Sequence, residues 1–506
     1  MTTGSSTADL LSLEPVHAEL RKRSVRSGLN AAAGRVAQGV IGLGSVAILA
    51  RLLTPSDFGV IAMVLPITTV ATMTMHRGLH FALLHAERLD TRQVSRLYWI
   101  ALRYNVVLLG GMALLGPVLA AVYREPRVAL VTAIWAGSLT VQSLGTFHEM
   151  LLKRQLRFGI LTMVSVSGML AGTIAAIAAA ASGAGHLALL LQWVVWDAVR
   201  CAGAWTVSRW RPDPREWSGA DESVVTHLSE YGRHFTMNRG VYWVGRQADR
   251  MVVGYVAGAG PLGLYDSARR WSWYAFHELF QSMTDVMVAS LSRARADVER
   301  FREFCREGLM AFLIPPLAVI AFIFIEADGA VRVLLGERWL EAIPLVRIMC
   351  GAAFCDALSR LTMWLYTAEG RTRQQFHWSL TTTPIMLLAI GIGAMRGVNG
   401  VAWAFAGATA ALMIPTVTFC LRGSAIRGRD FIALAWRPVT ASGTAALLLT
   451  LAHPVLPARD HLPGFLLAAA TFVFFYLVTW LALPGGVLAT RKLRDGVAHA
   501  FAGDPS

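Results

Sequence analysis

Residues 51–63 read RLLTPSDFGVIAM, a short polar turn set between two long apolar runs. Pro55 and Gly59 interrupt a helix, while Thr54, Ser56 and Asp57 carry side-chain oxygens that can cap the next one. The stretch reads as a tight reversal between two membrane helices. A second such device stands at residues 255–268, YVAGAGPLGLYDSA, where Pro261 and Gly263 again precede an apolar helix. Setting Phe58-Gly59-Val60 against Leu262-Gly263-Leu264 puts the copies about 204 positions apart, which predicts a chain built as two related halves.

Composition agrees with that reading. Of 506 residues, 55% are hydrophobic and only 15% charged, and the mean hydropathy is +0.50. These values exclude a large soluble enzyme and predict an all-α polytopic membrane protein. Cys201, Cys305, Cys350, Cys355 and Cys420 lie in or beside apolar runs, with no CxxC pair and no His at ligand spacing, so they read as buried thiols and no metal site is expected. The net charge of +14 falls mainly in alternate loops, the distribution of the positive-inside rule, and not in a patch for nucleic acid. Residues 1–29 hold Arg21, Lys22, Arg23 and Arg26 without an apolar core, which predicts a cytoplasmic tail rather than a cleaved signal peptide.

About fourteen spans fit the hydropathy. Six lie near 30–53, 57–84, 96–122, 127–152, 158–181 and 185–208. Six more lie near 228–256, 261–290, 304–328, 340–368, 375–395 and 398–421, and two follow at 431–453 and 463–488. The expected organisation is therefore a tail (1–29), a six-helix bundle (30–208), a cytoplasmic linker (209–227), a second bundle (228–421), two additional helices (422–488) and a cytoplasmic tail (489–506). An even number of spans per half makes the repeats parallel, around a central cavity, with both termini in the cytoplasm.

Charges inside apolar segments point to function, because a charge at mid-bilayer costs at least ~2.5–3.5 kcal/mol. The seventh span carries Arg233, Arg239, Arg246, Asp249 and Arg250. Positions 239, 246 and 250 share one helical stripe, and three guanidiniums facing a wet cavity suit an anionic ligand, since guanidinium grips phosphate with two parallel hydrogen bonds. Arg35 in the first span, and Arg269 and Arg270 at the start of the eighth, extend this set. The structural alternative neutralises the charges locally: Asp249 reaches Arg246 at i−3, Arg250 snorkels, and Asp266 pairs with Arg269 or Arg270. In the eighth span Tyr274, Glu278, Gln281 and Asp285 form a polar stripe. Glu278 and Asp285 are candidates for coupling to protons or a small cation, against the alternative of pairing with arginine elsewhere or solvation at the cytoplasmic end. Asp197 with Arg200, and Asp356 with Arg360, stand at helical spacing and read as structural salt bridges. Motifs for nucleotide binding, zinc proteolysis and serine hydrolysis are missing. No cofactor is expected, and the energy would come from a proton or sodium gradient, the membrane potential, or the substrate's own downhill path.

RLLTPSDFG after the first span, LLKRQLRFG at residues 151–159 and ADRMVVGYVAGAGPLGLY at residues 248–265 resemble the signature stretches of bacterial polysaccharide exporters. These are the Wzx-type flippases and colanic-acid-type exporters of the multidrug/oligosaccharidyl-lipid/polysaccharide (MOP) superfamily. The resemblance spans most of the chain. It implies a non-enzymatic flippase of the cell inner membrane that moves an undecaprenyl-pyrophosphate-linked oligosaccharide by alternating access, amid membrane lipid and beside polysaccharide polymerase machinery. It further implies pyrophosphate contacts at Arg35, Arg239 and Arg246, with Arg250, Arg269 and Arg270 behind them, and a helix-ordering role for Asp249. Two rival readings are a cation-coupled multidrug antiporter of the same superfamily and a membrane-embedded polymerase or ligase. The arginine-rich seventh span argues against the first, and the lack of a large outer loop against the second.

Overall fold

The computed structural model describes residues 20–75, 91–155, 157–208, 210–217, 245, 247–294, 297–457, 459–488 and 490–491. Among them every regular element is helical. The main helices are α1 (Leu20–Leu52), α2 (Pro55–Met75), α3 (Thr91–Tyr123), α4 (Arg127–Arg154), α5 (Phe158–Ala181) and α6 (His186–Ser208). Then come α7 (247–257), α8 (Ala259–Ala294), α9 (Val298–Ile325), α10 (Ile343–Ala368), α11 (Thr372–Ala394), α12 (Gly397–Leu421), α13 (Gly428–Ala452) and α14 (Leu462–Ala482). Among the described residues eleven helices are long and apolar enough to cross a membrane. The three others are α1, whose apolar part is Ala37–Leu52, the short α7, and α8, which carries charges along its length. The all-α, multi-pass reading holds.

Contacts group the chain into two units, one of Met1–Gln247 with Gly258–Gly260, the other of Ala248–Ala257 with Pro261–Ser506. Most of the expected linker, together with residues 218–244, lies outside the described residues.

In the first unit α6 packs along α4 and α5. Small residues permit the α5–α6 approach: a Cβ on Gly172 would sit 2.4 Å from the carbonyl oxygen of Gln192. The RLLTPSDFG turn forms a reciprocal cap at the start of α2. Asp57 Oδ2 accepts from the Thr54 backbone N–H at 3.0 Å and its hydroxyl at 2.7 Å, and Thr54 Oγ1 accepts from the Asp57 N–H at 3.3 Å. Arg127 at the start of α4 donates to Ser56 Oγ at 3.0 Å and stands 4.0 Å from Asp57, while His186 at the start of α6 stands 3.9 Å from it. The turn therefore ties three helix ends together. Thr54→Ala is expected to cost about 1 kcal/mol, the ordinary value of a lost cap, read as a lower melting temperature with unchanged membrane insertion. Beside the turn, hydrogen bonds from Arg127 hold the Glu125 carboxyl below its ordinary value of 4.5. A lowered folded pKa means that this stabilisation is present above 4.5 and is lost as pH falls through the folded value.

The second unit has an aromatic centre. Phe280 stacks on Trp364 at 4.8 Å, Phe312 meets Trp364 edge-on at 4.7 Å, and Trp364 Nε1 donates to Thr284 Oγ1 at 3.1 Å. These contacts fix α8 against α9 and α10 and so hold the charged first half of α8 in place.

Candidate functional site

Gly258, at φ 80°, ends α7 in the left-handed region that glycine tolerates best, and α8 begins at the next residue. The two helices fold back as a hairpin, so residues at similar distances from the break face each other. Asp249 on α7 thus meets Tyr265 and Arg269 on α8, and Arg250 meets Asp266.

Two carboxylates hold this junction. Asp249 is fully buried; its Oδ2 accepts a 2.7 Å hydrogen bond from the Tyr265 hydroxyl and an ion pair from Arg269 Nη1. Its Oδ1 is buried without a hydrogen bond among the described residues. Asp266 accepts from Arg250 Nε at 2.6 Å and from Arg270 Nη2 at 2.7 Å. The Arg269 guanidinium also lies over Phe405 at 5.1 Å and Trp273 at 5.9 Å, and Trp273 Nε1 donates to Asp356 Oδ2 at 2.7 Å. Asp356 in turn accepts from Arg360 Nε at 2.8 Å, the salt bridge expected from their spacing. A continuous polar chain therefore runs from α7 through α8 to α10.

Exposure separates the arginines. The side chains of Arg250 and Arg269 are 15% and 10% exposed, whereas that of Arg270 is 38% exposed. Arg270 uses Nη2 on Asp266 and presents the rest of its fork outward. Between residues 247 and 270 three guanidiniums accompany two carboxylates, which leaves a cationic surplus. At a rise of 1.5 Å per residue, Arg269 and Arg270 lie about 15 Å along α8 from its start, near half the thickness of a hydrocarbon core.

Of the other candidates, Arg35 is exposed on α1 and makes no ion pair among the described residues. Arg239 and Arg246 lie outside the described residues. Glu278 and Asp285 sit on α8, but their side chains are not among those described. Sequence spacing suggested that Asp266 pairs with Arg269 or Arg270. It binds Arg270, and its second partner comes from α7. Sequence reasoning also missed Tyr265 as the partner of Asp249; the signal was their similar distance, seven and nine residues, from the glycine break.

The family model described as polysaccharide biosynthesis protein matches residues 48–344, more than half of the chain. The chain belongs to this family. The lipopolysaccharide biosynthesis protein WzxC of Escherichia coli is 23% identical over 371 residues, covering 72% of this chain and 75% of the relative. The succinoglycan biosynthesis transport protein ExoT of Rhizobium meliloti is 23% identical over 357 residues, covering 70% and 71%. Among solved structures the lipid II flippase MurJ in its inward closed conformation superposes with a TM-score of 0.69 at 12% identity, covering 89% of this chain and 97% of MurJ. An inward-facing multidrug MATE transporter gives 0.61 at 12% identity, covering 80% and 98%. This member of the polysaccharide biosynthesis family thus has the fold of these two helical transporters.

Proposed function

We propose that the protein turns a polyprenyl-pyrophosphate-linked oligosaccharide across the cytoplasmic (inner) membrane by alternating access, as a transporter and not an enzyme, with both termini in the cytoplasm. The observation that carries this reading is the α7–α8 junction, where three guanidiniums share two carboxylates and Arg270 remains half-open. A diphosphate needs a cationic surplus that is held rigidly, so that charge is already in place when its water is lost. Here Asp249 and Asp266 orient Arg269, Arg250 and Arg270, while the surplus and the open fork of Arg270 meet the anion. Arg239 and Arg246 on the preceding stretch, and Arg35, complete the proposed pyrophosphate set. The proposal keeps residues 30–208 and 228–421 as two parallel six-helix bundles and 422–488 as two additional helices. The polyprenyl tail stays in lipid throughout, and polysaccharide polymerase machinery receives the product.

The test is translocation of a fluorescent pyrophosphate-linked oligosaccharide in proteoliposomes. Arg270→Ala, at matched insertion, is expected to slow translocation about tenfold, the worth of one charge-assisted hydrogen bond pair. Arg270→Lys should restore part of it, because ammonium keeps the charge without the fork. A glycolipid without phosphate should not move. Wild-type rates in Arg270→Ala would make the junction structural and shift the search to Arg239 and Arg246. Export of a cationic dye in place of the glycolipid would identify a drug antiporter.

A further inference from the structure

The first unit holds a second buried charge cluster, on the seam between α4 and α6. Asp197 lies eleven residues into α6, about 16 Å along the helix and close to its middle. It is 3% exposed. The salt bridge with Arg200 that sequence spacing suggested is present, at a long 4.0 Å. Arg200 gives both short bonds to Glu149, at 2.8 and 2.9 Å. Asp197 is served by two neutral partners: Ser138 Oγ donates to Oδ2 at 2.7 Å and Gln142 Nε2 to Oδ1 at 3.3 Å. The charged or titratable groups facing it are Arg200, Glu149 and the Cys201 thiol one turn on. From α5, which packs along α6, comes no titratable side chain at all.

Two features distinguish this carboxyl from an ordinary structural one. One guanidinium serves two carboxylates, which leaves a surplus negative charge in the middle of a membrane helix, a state that a bound proton removes. Both direct partners, moreover, can reverse roles. A hydroxyl donates or accepts, and Gln142 Oε1 is buried without a hydrogen bond, so rotating the amide exchanges its donor for an acceptor. The site can therefore satisfy Asp197 whether it is ionised or protonated.

We propose that Asp197, with Ser138 and Gln142, is a proton-binding site that couples the transport cycle to the proton gradient. The coupling rests on the flippase reading; the proton site does not. In the ionised state Ser138 and Gln142 donate to the carboxylate. Uptake of one proton from water gives the neutral acid, which donates to the turned Gln142 amide, and release of that proton to water on the opposite side restores the carboxylate.

The test pairs pH-titrated infrared difference spectra of the purified full chain with glycolipid transport under an imposed pH gradient. The wild type should show one carboxyl C=O band appearing on acidification, lost in Asp197→Asn. Glu149→Gln should shift its midpoint at least tenfold in proton concentration toward acid, because Arg200 then serves Asp197 alone. Gln142→Leu retains the carboxyl and should also move the midpoint. Transport by Asp197→Asn should lose its dependence on the gradient. Absence of any Asp197-dependent band in the wild type, or an Asp197→Asn protein with wild-type gradient dependence, would overturn the proposal. A band driven by sodium at fixed pH would likewise overturn it. A titrating Asp197 in a wild type that moves no pyrophosphate-linked glycolipid would support the proton site while sinking the flippase reading.

Discussion

Asp266→Ala is expected to destabilise the second unit by about 3–5 kcal/mol, the cost of removing one partner of a buried ion pair. The carboxylate is fully buried and accepts from two guanidiniums, at 2.6 Å from Arg250 and 2.7 Å from Arg270. Its removal takes a close partner from the largely buried Arg250, whereas the more exposed Arg270 can turn toward water. A thiol-reactive fluorogenic dye, applied to Cys201→Ala protein, reads this unit alone, because Cys305, Cys350, Cys355 and Cys420 all lie in it and three of them are buried. The variant should therefore expose thiols at a markedly lower temperature. Asp266→Leu combined with Arg250→Met should recover most of the loss, since replacing a whole buried pair by apolar groups is often neutral. Should Asp266→Ala melt with the wild type, both guanidiniums would already be solvated, and the junction would be a wet cavity wall rather than a packed element.

That junction also shows what the sequence could carry. The fold class was legible because runs of apolar residues cannot be soluble, and the TPSDFG stretch was legible as a cap because Thr54 and Asp57 stand three apart. The helix near 261–290 was legible despite Asp266, Arg269, Arg270, Glu278 and Asp285, but those charges keep α8 out of the eleven described helices apolar enough to cross a membrane. Pairing within one helix follows from spacing, as Asp356 and Arg360 illustrate. Pairing across a hairpin depends on the position of the turn. Only with the break fixed at Gly258 do Arg250 and Asp266, sixteen residues apart, become neighbours. Asp197 shows what spacing within a helix leaves open. Its pair with Arg200 forms as the spacing suggests, at 4.0 Å, while the short bonds of Arg200 go to Glu149 on another helix.

Gly59→Ala should remove most folded protein from the membrane, although it adds a single methyl group and puts a better helix former in α2. A Cβ at this position would lie 1.7 Å from the carbonyl oxygen of Ala259 and 2.5 Å from its carbon. Residues 258–260 cluster with the first unit, and within it Gly59 and Ala259 meet backbone to backbone. Inserting a methylene into a close-packed site costs about 1–3 kcal/mol when side chains can yield. A backbone carbonyl cannot rotate away, and flanking Phe58 and Val60 are buried, so the penalty should exceed that range. Val60→Ala, which deletes buried methyl groups without a clash, should cost only about 0.8 kcal/mol per group and remain folded. Adding Ala259→Gly to Gly59→Ala separates the causes: the obstacle is the carbonyl of residue 259 and not its methyl, so the double variant should stay unfolded. Recovery of folded protein in that double variant would mean that the helices meet through side chains, and that Gly59 is dispensable.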